Sequence, residues 1–436
     1  MRFHLPESMW PASLDARPFA STAVANGVLS VVGLLTGMLS ARLLGAEGRG
    51  HLAAVQAWPL FLATLGSFGL TEAIAYFVAR SPSRARPALA TGLLLAMPFT
   101  IVAVVAGVLL LPLVLGGQTM EVQQVAMQCL VLVPLLTLSV APSQALRGVG
   151  RYRAWNVLRL VTPLAWLAAL LAVRSMHRAT VPTLALAFIG ATALAAVVTH
   201  LHAWWTLDGP AVPERSLVRP MLAYSAPTMA ATIPRWLNLR LDQLIVIAIL
   251  DARAVGLYVV AVAWSAAARP LAEVVAHNAV PALAGGKDTW QRARFVYRAG
   301  AVAAFGTSLL LLVATPALLP LVFGVEFGAA IPVALIMVLA GAVDATNAVG
   351  AECLRGVGRP RAVMLAECVG LGVTAVALPV LVLLGGLIGA ACASLLSYSV
   401  ILVAQRRLMR APEEASPGYA AGIPSKLDSV AWIRGR

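Results

Sequence analysis

The chain is 436 residues long, 60% of them hydrophobic and 11% charged, with a mean hydropathy of +0.86. A soluble globular domain carries roughly 25% charged residues, so this composition excludes an ordinary soluble enzyme or binding module. The net charge is +14, with thirty Arg and two Lys; these charges sit in short segments between apolar runs, which favours membrane topology over a nucleic-acid partner.

Residues 1–19 contain Glu7, Asp15 and several prolines and no apolar core. They read as a cytoplasmic N-terminal segment, not a cleavable signal. Apolar runs then predict membrane helices over 20–44, 52–79, 88–115, 122–146, 155–173 and 180–205. After a linker at 206–218, further runs predict helices over 219–250, 254–283, 294–320, 327–354, 361–384 and 386–408. A hydrocarbon core of about 30 Å takes ~20 helical residues. The runs are continuous, not alternating, so helices and not barrel strands satisfy the backbone. The seventh and eighth spans are long, and Pro227, Pro234 and Pro270 mark kink positions because each removes a backbone donor. The tail at 411–436 is polar and Pro-containing and is expected to lack regular structure. Four cysteines show no metal-ligand spacing, and no metal or other cofactor is expected.

Twelve spans place both termini on one side. With that side cytoplasmic, the cytoplasmic loops and termini hold 24 of the 32 Lys and Arg. The opposite loops hold five: Arg42, Arg49, Arg174, Arg178 and Arg253. This asymmetry supports the orientation. Trp155, Trp204 and Trp205 fall at span ends, as an interfacial belt would have them.

The chain contains two copies of itself. LRGVGR occurs at Leu146–Arg151 and again 208 residues later at Leu354–Arg359. LPLVLG at Leu111–Gly116 and LPLVFG at Leu319–Gly324 share that offset of 208. Leu44, Gly50 and Trp58 match Leu250, Gly256 and Trp264 at an offset of 206. The reading is an all-α integral membrane protein of about twelve spans, in two parallel six-helix repeats (20–205 and 219–410) around a central cavity. Transporters of this design hold substrate between the halves and expose it to each side in turn.

Charges inside spans cost about 2.5–3.5 kcal/mol on insertion scales, so they face cavities or partners. Arg235, Arg240 and Arg269 lie well inside the seventh and eighth spans. They are candidate substrate-binding residues, because the planar guanidinium fork suits phosphate. Glu72, Asp242, Glu273 and Asp344 are candidates for coupling to a proton or sodium ion, with structural ion pairing as the alternative. Arg235 and Asp242, seven apart, are expected on one helix face, and Arg269, Glu273 and His277 form a stripe in which Arg269 and Glu273 are within pairing reach. Asn26, Ser30, Gly33 and Gly37 line one face of the first span, and Asp344 and Asn347 one face of the tenth.

Several segments carry a family resemblance: SARLLGAEGRGHLAAVQAW (Ser40–Trp58), QALRGVGRYRAWNVLR (Gln144–Arg159), NLRLDQLIVIAILDARAVGLYVVA (Asn238–Ala261), ECLRGVGRPRAVMLAE (Glu352–Glu367) and GLIGAACASLLSY (Gly386–Tyr398). They resemble the O-antigen (Wzx-like) polysaccharide-biosynthesis flippases of the multidrug/oligosaccharidyl-lipid/polysaccharide exporter superfamily, and the likeness runs over nearly the whole chain. The resemblance implies two six-helix lobes, a cationic cavity, and movement of an undecaprenyl-pyrophosphate-linked oligosaccharide across the bacterial inner membrane. It also implies membrane lipids and polysaccharide polymerase or assembly proteins as partners. Arg240 and Asp242 match positions typically charged in that family; Arg235, Arg269 and Glu273 rest on the cavity argument alone. Lipid II flippases of the superfamily usually have fourteen spans, which disfavours that role. A multidrug exporter would favour acids and aromatics over buried Arg. A glycan polymerase or ligase would need a large external loop, and none is evident, so the chain reads as a transporter and not an enzyme.

Overall fold

Every regular element among the described residues is a helix. The computed structural model describes residues 16–283 and 289–410; the predicted tail and most of the predicted N-terminal segment lie outside them, as does the side chain of His277. The first half comprises α1 (Ala16–Gly66), α2 (Leu70–Arg80), α3 (Ala85–Leu115), α4 (Met120–Cys129), α5 (Leu132–Gly148), α6 (Tyr152–Ser175) and α7 (Val181–Thr206). The second comprises α8 (Arg215–Asn238), α9 (Leu241–Ile249), α10 (Ala252–Ser265), α11 (Pro270–Leu283), α12 (Thr289–Phe323), α13 (Ile331–Gly356) and α14 (Pro360–Arg410).

Among the described residues, eight helical stretches are long and apolar enough to cross a membrane, and a ninth is a pair bent by 54° between Ala252–Ala268 and Pro270–Ala276. The bend falls at the predicted Pro270. Two of the long helices each hold two crossings joined without a loop. The chain turns inside α1 at Gly45 (φ 70°) and inside α14 at Gly386 (φ 54°). The residues between the first and second predicted spans are therefore helical up to this turn and beyond it. With the turns inside α1 and α14 each dividing a helix in two, and α8 with α9 taken as one further span, the described helices accommodate the twelve predicted spans.

The second predicted span is broken at Phe68 and Gly69, both at positive φ, between α1 and α2. The seventh is broken at Leu239–Arg240, not at Pro227 or Pro234, which remain inside α8. The physical reason lies in the partners of that last turn. Asn238 donates to the Glu367 carbonyl (3.0 Å) and carboxylate (3.1 Å) on α14, and the helix ends just after this anchor.

The duplication is visible in three dimensions. Arg151 N–H donates to Leu146 O (2.9 Å) and Gly150 N–H to Arg147 O (3.0 Å); Arg359 N–H donates to Leu354 O (2.8 Å) and Gly358 N–H to Arg355 O (3.0 Å). Gly150 and Gly358 hold φ of 78° and 80°, the left-handed helix ending that glycine adopts without a Cβ penalty. Trp58 donates its indole N–H to Gly107 O (3.1 Å), and Trp264 donates to Thr315 Oγ1 (2.9 Å). Residues 107 and 315 share the 208 offset.

The two halves also touch through equivalent residues. A Cβ on Gly50 would lie 1.7 Å from Ala252 O, and a Cβ on Gly256 would lie 1.8 Å from Ala46 O. Ala46 and Ala252 are again 206 apart, so the contact is reciprocal about a pseudo-two-fold axis, like an isologous interface. Each helix presents a small residue, three spacers and a glycine, the pattern that lets membrane helices approach closely where lipid offers no hydrophobic driving force. This seam lies at the end of the bundle away from the termini, here called the far side. Arg42 Nε donates to Val322 O (2.8 Å) and Gln118 Nε2 to Ile247 O (3.4 Å) across the same end.

Any side chain at this seam meets backbone, which cannot rotate away. Gly50→Val and Gly256→Val are each expected to lower the thermal unfolding midpoint in detergent, since overpacking costs about 1–3 kcal/mol. Gly306→Ala and Gly372→Ala, which open into empty space, are expected to leave the midpoint unchanged.

Candidate functional site

A cavity of about 570 Å³ lies between the halves in the half of the bundle nearer the termini. Asn26 and Ser30 of α1 enter it, as the polar face of the first span predicts. Opposite them stand Arg235 of α8, Glu273 of α11, and Glu352 and Arg355 of α13; Arg159 of α6 completes the wall. Arg159 donates to Asn26 Oδ1 (3.2 Å) and lies over the Trp155 ring, 4.4 Å from its centroid. Both contacts preorganise its guanidinium.

Arg235 reaches this cavity and also closes a buried charge cluster. Its Nη1 lies 2.8 Å from Asp344 Oδ1 and 3.3 Å from Glu367 Oε1. Arg269 donates to the other oxygen of Asp344. The Asp344 and Glu367 side chains are 1% and 2% exposed, so both carboxylates depend on these arginines for compensation. A polar chain extends outward from the cluster. Asn238 Oδ1 accepts from Thr374 Oγ1 (3.2 Å), which also bonds Ser397 Oγ (2.7 Å).

The predicted residues therefore divide. Arg235, Arg269 and Asp344 come together, and Glu273 shares the cavity with Arg235. Asp242 does not share a face with Arg235, because the break at Leu239–Arg240 intervenes. Asp242 instead accepts from Tyr258 Oη (2.8 Å) and from the Gln243 N–H (2.7 Å). Asn347 turns away to donate to Tyr398 O (2.8 Å). Arg240 sits near the Trp236 ring, 5.8 Å from its centroid, and with Glu72 it lines a second cavity of about 390 Å³ between α1, α2, α5 and α8.

Sequence reasoning missed Arg159 and Glu367 as site residues. Read locally, Arg159 is one of the basic residues that follow the LRGVGR loop, and Glu367 is the last residue of the second copy's segment. A signal was present. The segments Gln144–Arg159 and Glu352–Glu367 are equivalent, and their final residues, 208 apart, carry opposite charge. Aligning the two copies to the end would have marked both.

A family model described as polysaccharide biosynthesis protein matches residues 16–284. No curated protein matches the chain. Among solved structures, the lipid II flippase MurJ in an inward closed conformation is similar with a TM-score of 0.72 at 12% identity, covering 89% of this chain and 87% of that one. An inward-facing multidrug resistance MATE transporter of the MOP superfamily gives 0.66 at 16% identity, covering 89% and 98%. An outward-facing one gives 0.60 at 15% identity, covering 91% and 94%. At these identities the likeness is one of fold alone: an all-helical, multi-pass membrane architecture.

Removing Arg235 leaves buried Glu367 without its cation and Asp344 with Arg269 alone. Arg235→Ala is expected to destabilise the protein by about 3–5 kcal/mol, read as a lowered thermal midpoint in detergent. Adding Glu367→Gln to Arg235→Ala is expected to restore part of that loss, because one uncompensated charge is removed. A double-mutant cycle showing independent effects would contradict the direct pairing.

Proposed function

The chain belongs to the polysaccharide biosynthesis protein family, and from that premise we propose that it is a flippase for a lipid-linked oligosaccharide in the bacterial inner membrane. The carrying observation is the larger cavity. Three guanidinium groups, Arg159, Arg235 and Arg355, and two carboxylates, Glu273 and Glu352, line this space between the lobes, an excess of one positive charge, and the glycine seam joins the lobes at the far side. Arg355 pairs with Glu352 on its own helix and Arg235 with Asp344 and Glu367, so Arg159 is the best placed to receive an anion, with Arg235 beside it in the same lining. A pyrophosphate between lipid and sugar has the charge and planar acceptor geometry that arginine forks bind.

In this reading the terminus side is the cytoplasm, where the arginine-rich loops lie. Substrate enters there, the seam opens, the cytoplasmic end closes, and the two lobes (20–205 and 219–410) rock about the pseudo-two-fold axis. Span seven is the element shared by both lobes. Met221 packs with α2 and α3 residues, while Arg235 and Asn238 are tied to α14. Arg269 acts through Asp344, holding it so that Arg235 faces the cavity. Arg240 serves the second cavity. Glu72 and Glu273 line cavities and are the candidates for exchange with a coupling proton or sodium ion; Asp242 and Asp344 are held by fixed donors and fasten helices. No chemical step is assigned: transport is non-enzymatic, and the product passes to polymerase or assembly proteins outside.

Arg159 tests this reading more cleanly than Arg235, because it compensates no buried carboxylate. In cells lacking the gene, undecaprenyl-pyrophosphate-linked glycan is expected to accumulate in the cytoplasmic leaflet. Wild type is expected to relieve this, and Arg159→Gln to relieve it at least tenfold less (about 1.4 kcal/mol of binding or more) at equal membrane level. Absence of accumulation, with increased sensitivity to cationic drugs, would point to a multidrug exporter instead.

A further inference from the structure

The second cavity has a chemistry unlike the first. Its two charges, Glu72 and Arg240, are of opposite sign, so it presents no net charge to a ligand. The rest of its polar lining is hydroxyl and amide, from residues such as Thr232 and Gln144. Trp236, 42% exposed, supplies a broad aromatic surface. Glu72 is exposed within a membrane helix, a position tolerated only against water or a polar ligand.

The donors and acceptors are mixed. Thr232 donates its hydroxyl to Thr228 O (3.0 Å), which leaves its oxygen lone pairs as acceptors. Gln144 Oε1 accepts from Arg147 (3.4 Å), which leaves its amide N–H₂ to donate. Glu72 Oε2 accepts from Thr71 Oγ1 (2.7 Å), and its second oxygen remains an acceptor. The indole has an apolar face and a polar edge. An anion requires excess positive charge, and here the polar groups are set in a largely apolar wall that includes Leu60, Leu136, Val140 and Met229, the composition of a small-molecule site in which a few polar groups fix orientation. A neutral ring with hydroxyls at its rim and C–H bonds on its faces fits an aromatic plate surrounded by both donors and acceptors. The volume, about 390 Å³, is within the range of small-molecule sites, roughly 300–1,000 Å³.

We infer that this second cavity is a binding site for neutral sugar units, with Trp236 as the stacking platform and Glu72, Gln144 and Arg240 bonding ring hydroxyls. The inference rests on the flippase reading and deepens it. Span seven presents Arg235 to the first cavity and Trp236, its neighbour in sequence, to the second. Consecutive Cα atoms are about 3.8 Å apart. A single lipid-linked glycan is thus divided about one helix turn, its pyrophosphate at Arg159 and Arg235 and its sugars at Trp236.

The test uses the full chain in lipid nanodiscs and two probes, undecaprenyl pyrophosphate and the same lipid carrying N-acetylglucosamine. Wild type is expected to bind the glycosylated lipid more tightly. Trp236→Leu is expected to weaken binding of the glycosylated probe about tenfold and leave the naked lipid within about twofold; Trp236→Tyr, which keeps the aromatic plate, is expected to retain most of the preference. Gln144→Leu provides a second variant if Trp236→Leu fails to fold, with the same selective loss expected. Equal weakening of both probes, or no preference in wild type, overturns the sugar site while leaving the flippase reading intact. Failure of wild type to bind either probe overturns both.

Discussion

Asp344 is the pivot of the second half. It is buried at the centre of α13, and each of its oxygens faces a guanidinium from a different helix, Arg235 of α8 and Arg269 beside α11. An isolated carboxylate there would cost several kcal/mol even after relaxation, so the position of both arginines is dictated by it. Glu367 repeats the demand from α14, sharing Arg235 and holding Asn238. Four helices are thereby fixed to one another by charge satisfaction in a medium that supplies no hydrophobic drive. The cavity inherits its shape from this cluster, because Arg235 is oriented by the carboxylates behind it while its open side lines the space between the lobes.

The duplicated halves are alike in backbone and unlike in charge. The glycine-ended LRGVGR turns and the two tryptophan anchors superimpose in their bonding. At the equivalent positions 159 and 367, one half carries Arg and the other Glu. In the first half the arginine is left to face the cavity. In the second the carboxylate is neutralised internally. A symmetric scaffold thus produces an asymmetric site: one wall offers an unspent cation, and the other offers Arg235, which is already partly engaged.

The same symmetry governs closure. Gly50 and Gly256 make one reciprocal contact on the pseudo-two-fold axis. A contact of this kind forms or parts as a unit, because moving one lobe shifts both partners together. It depends on backbone meeting backbone, so it has no intermediate side-chain packing to adopt, which suits the two discrete states of the proposed alternation.

The sequence by itself determined the class of fold and the duplication. These follow from the length of apolar runs, the distribution of arginine and a shared offset, all of which are properties of the chain read in one dimension. It also identified Arg235, Arg269 and Asp344 as charges in need of partners, because burial cost follows from position within a span. The pairing itself was decided only by the tertiary structure. Arg235 and Asp242 fit one face of a continuous helix, and the break at Leu239–Arg240 sends them to different neighbours; the break depends on Asn238 finding Glu367, 129 residues away. Arg159 likewise became a cavity residue only when α6 was set against α1. Helical periodicity reports which residues share a face, but a partner on another helix is chosen by packing, and packing between spans in lipid is set by close contacts and charge compensation that leave no periodic mark on the chain.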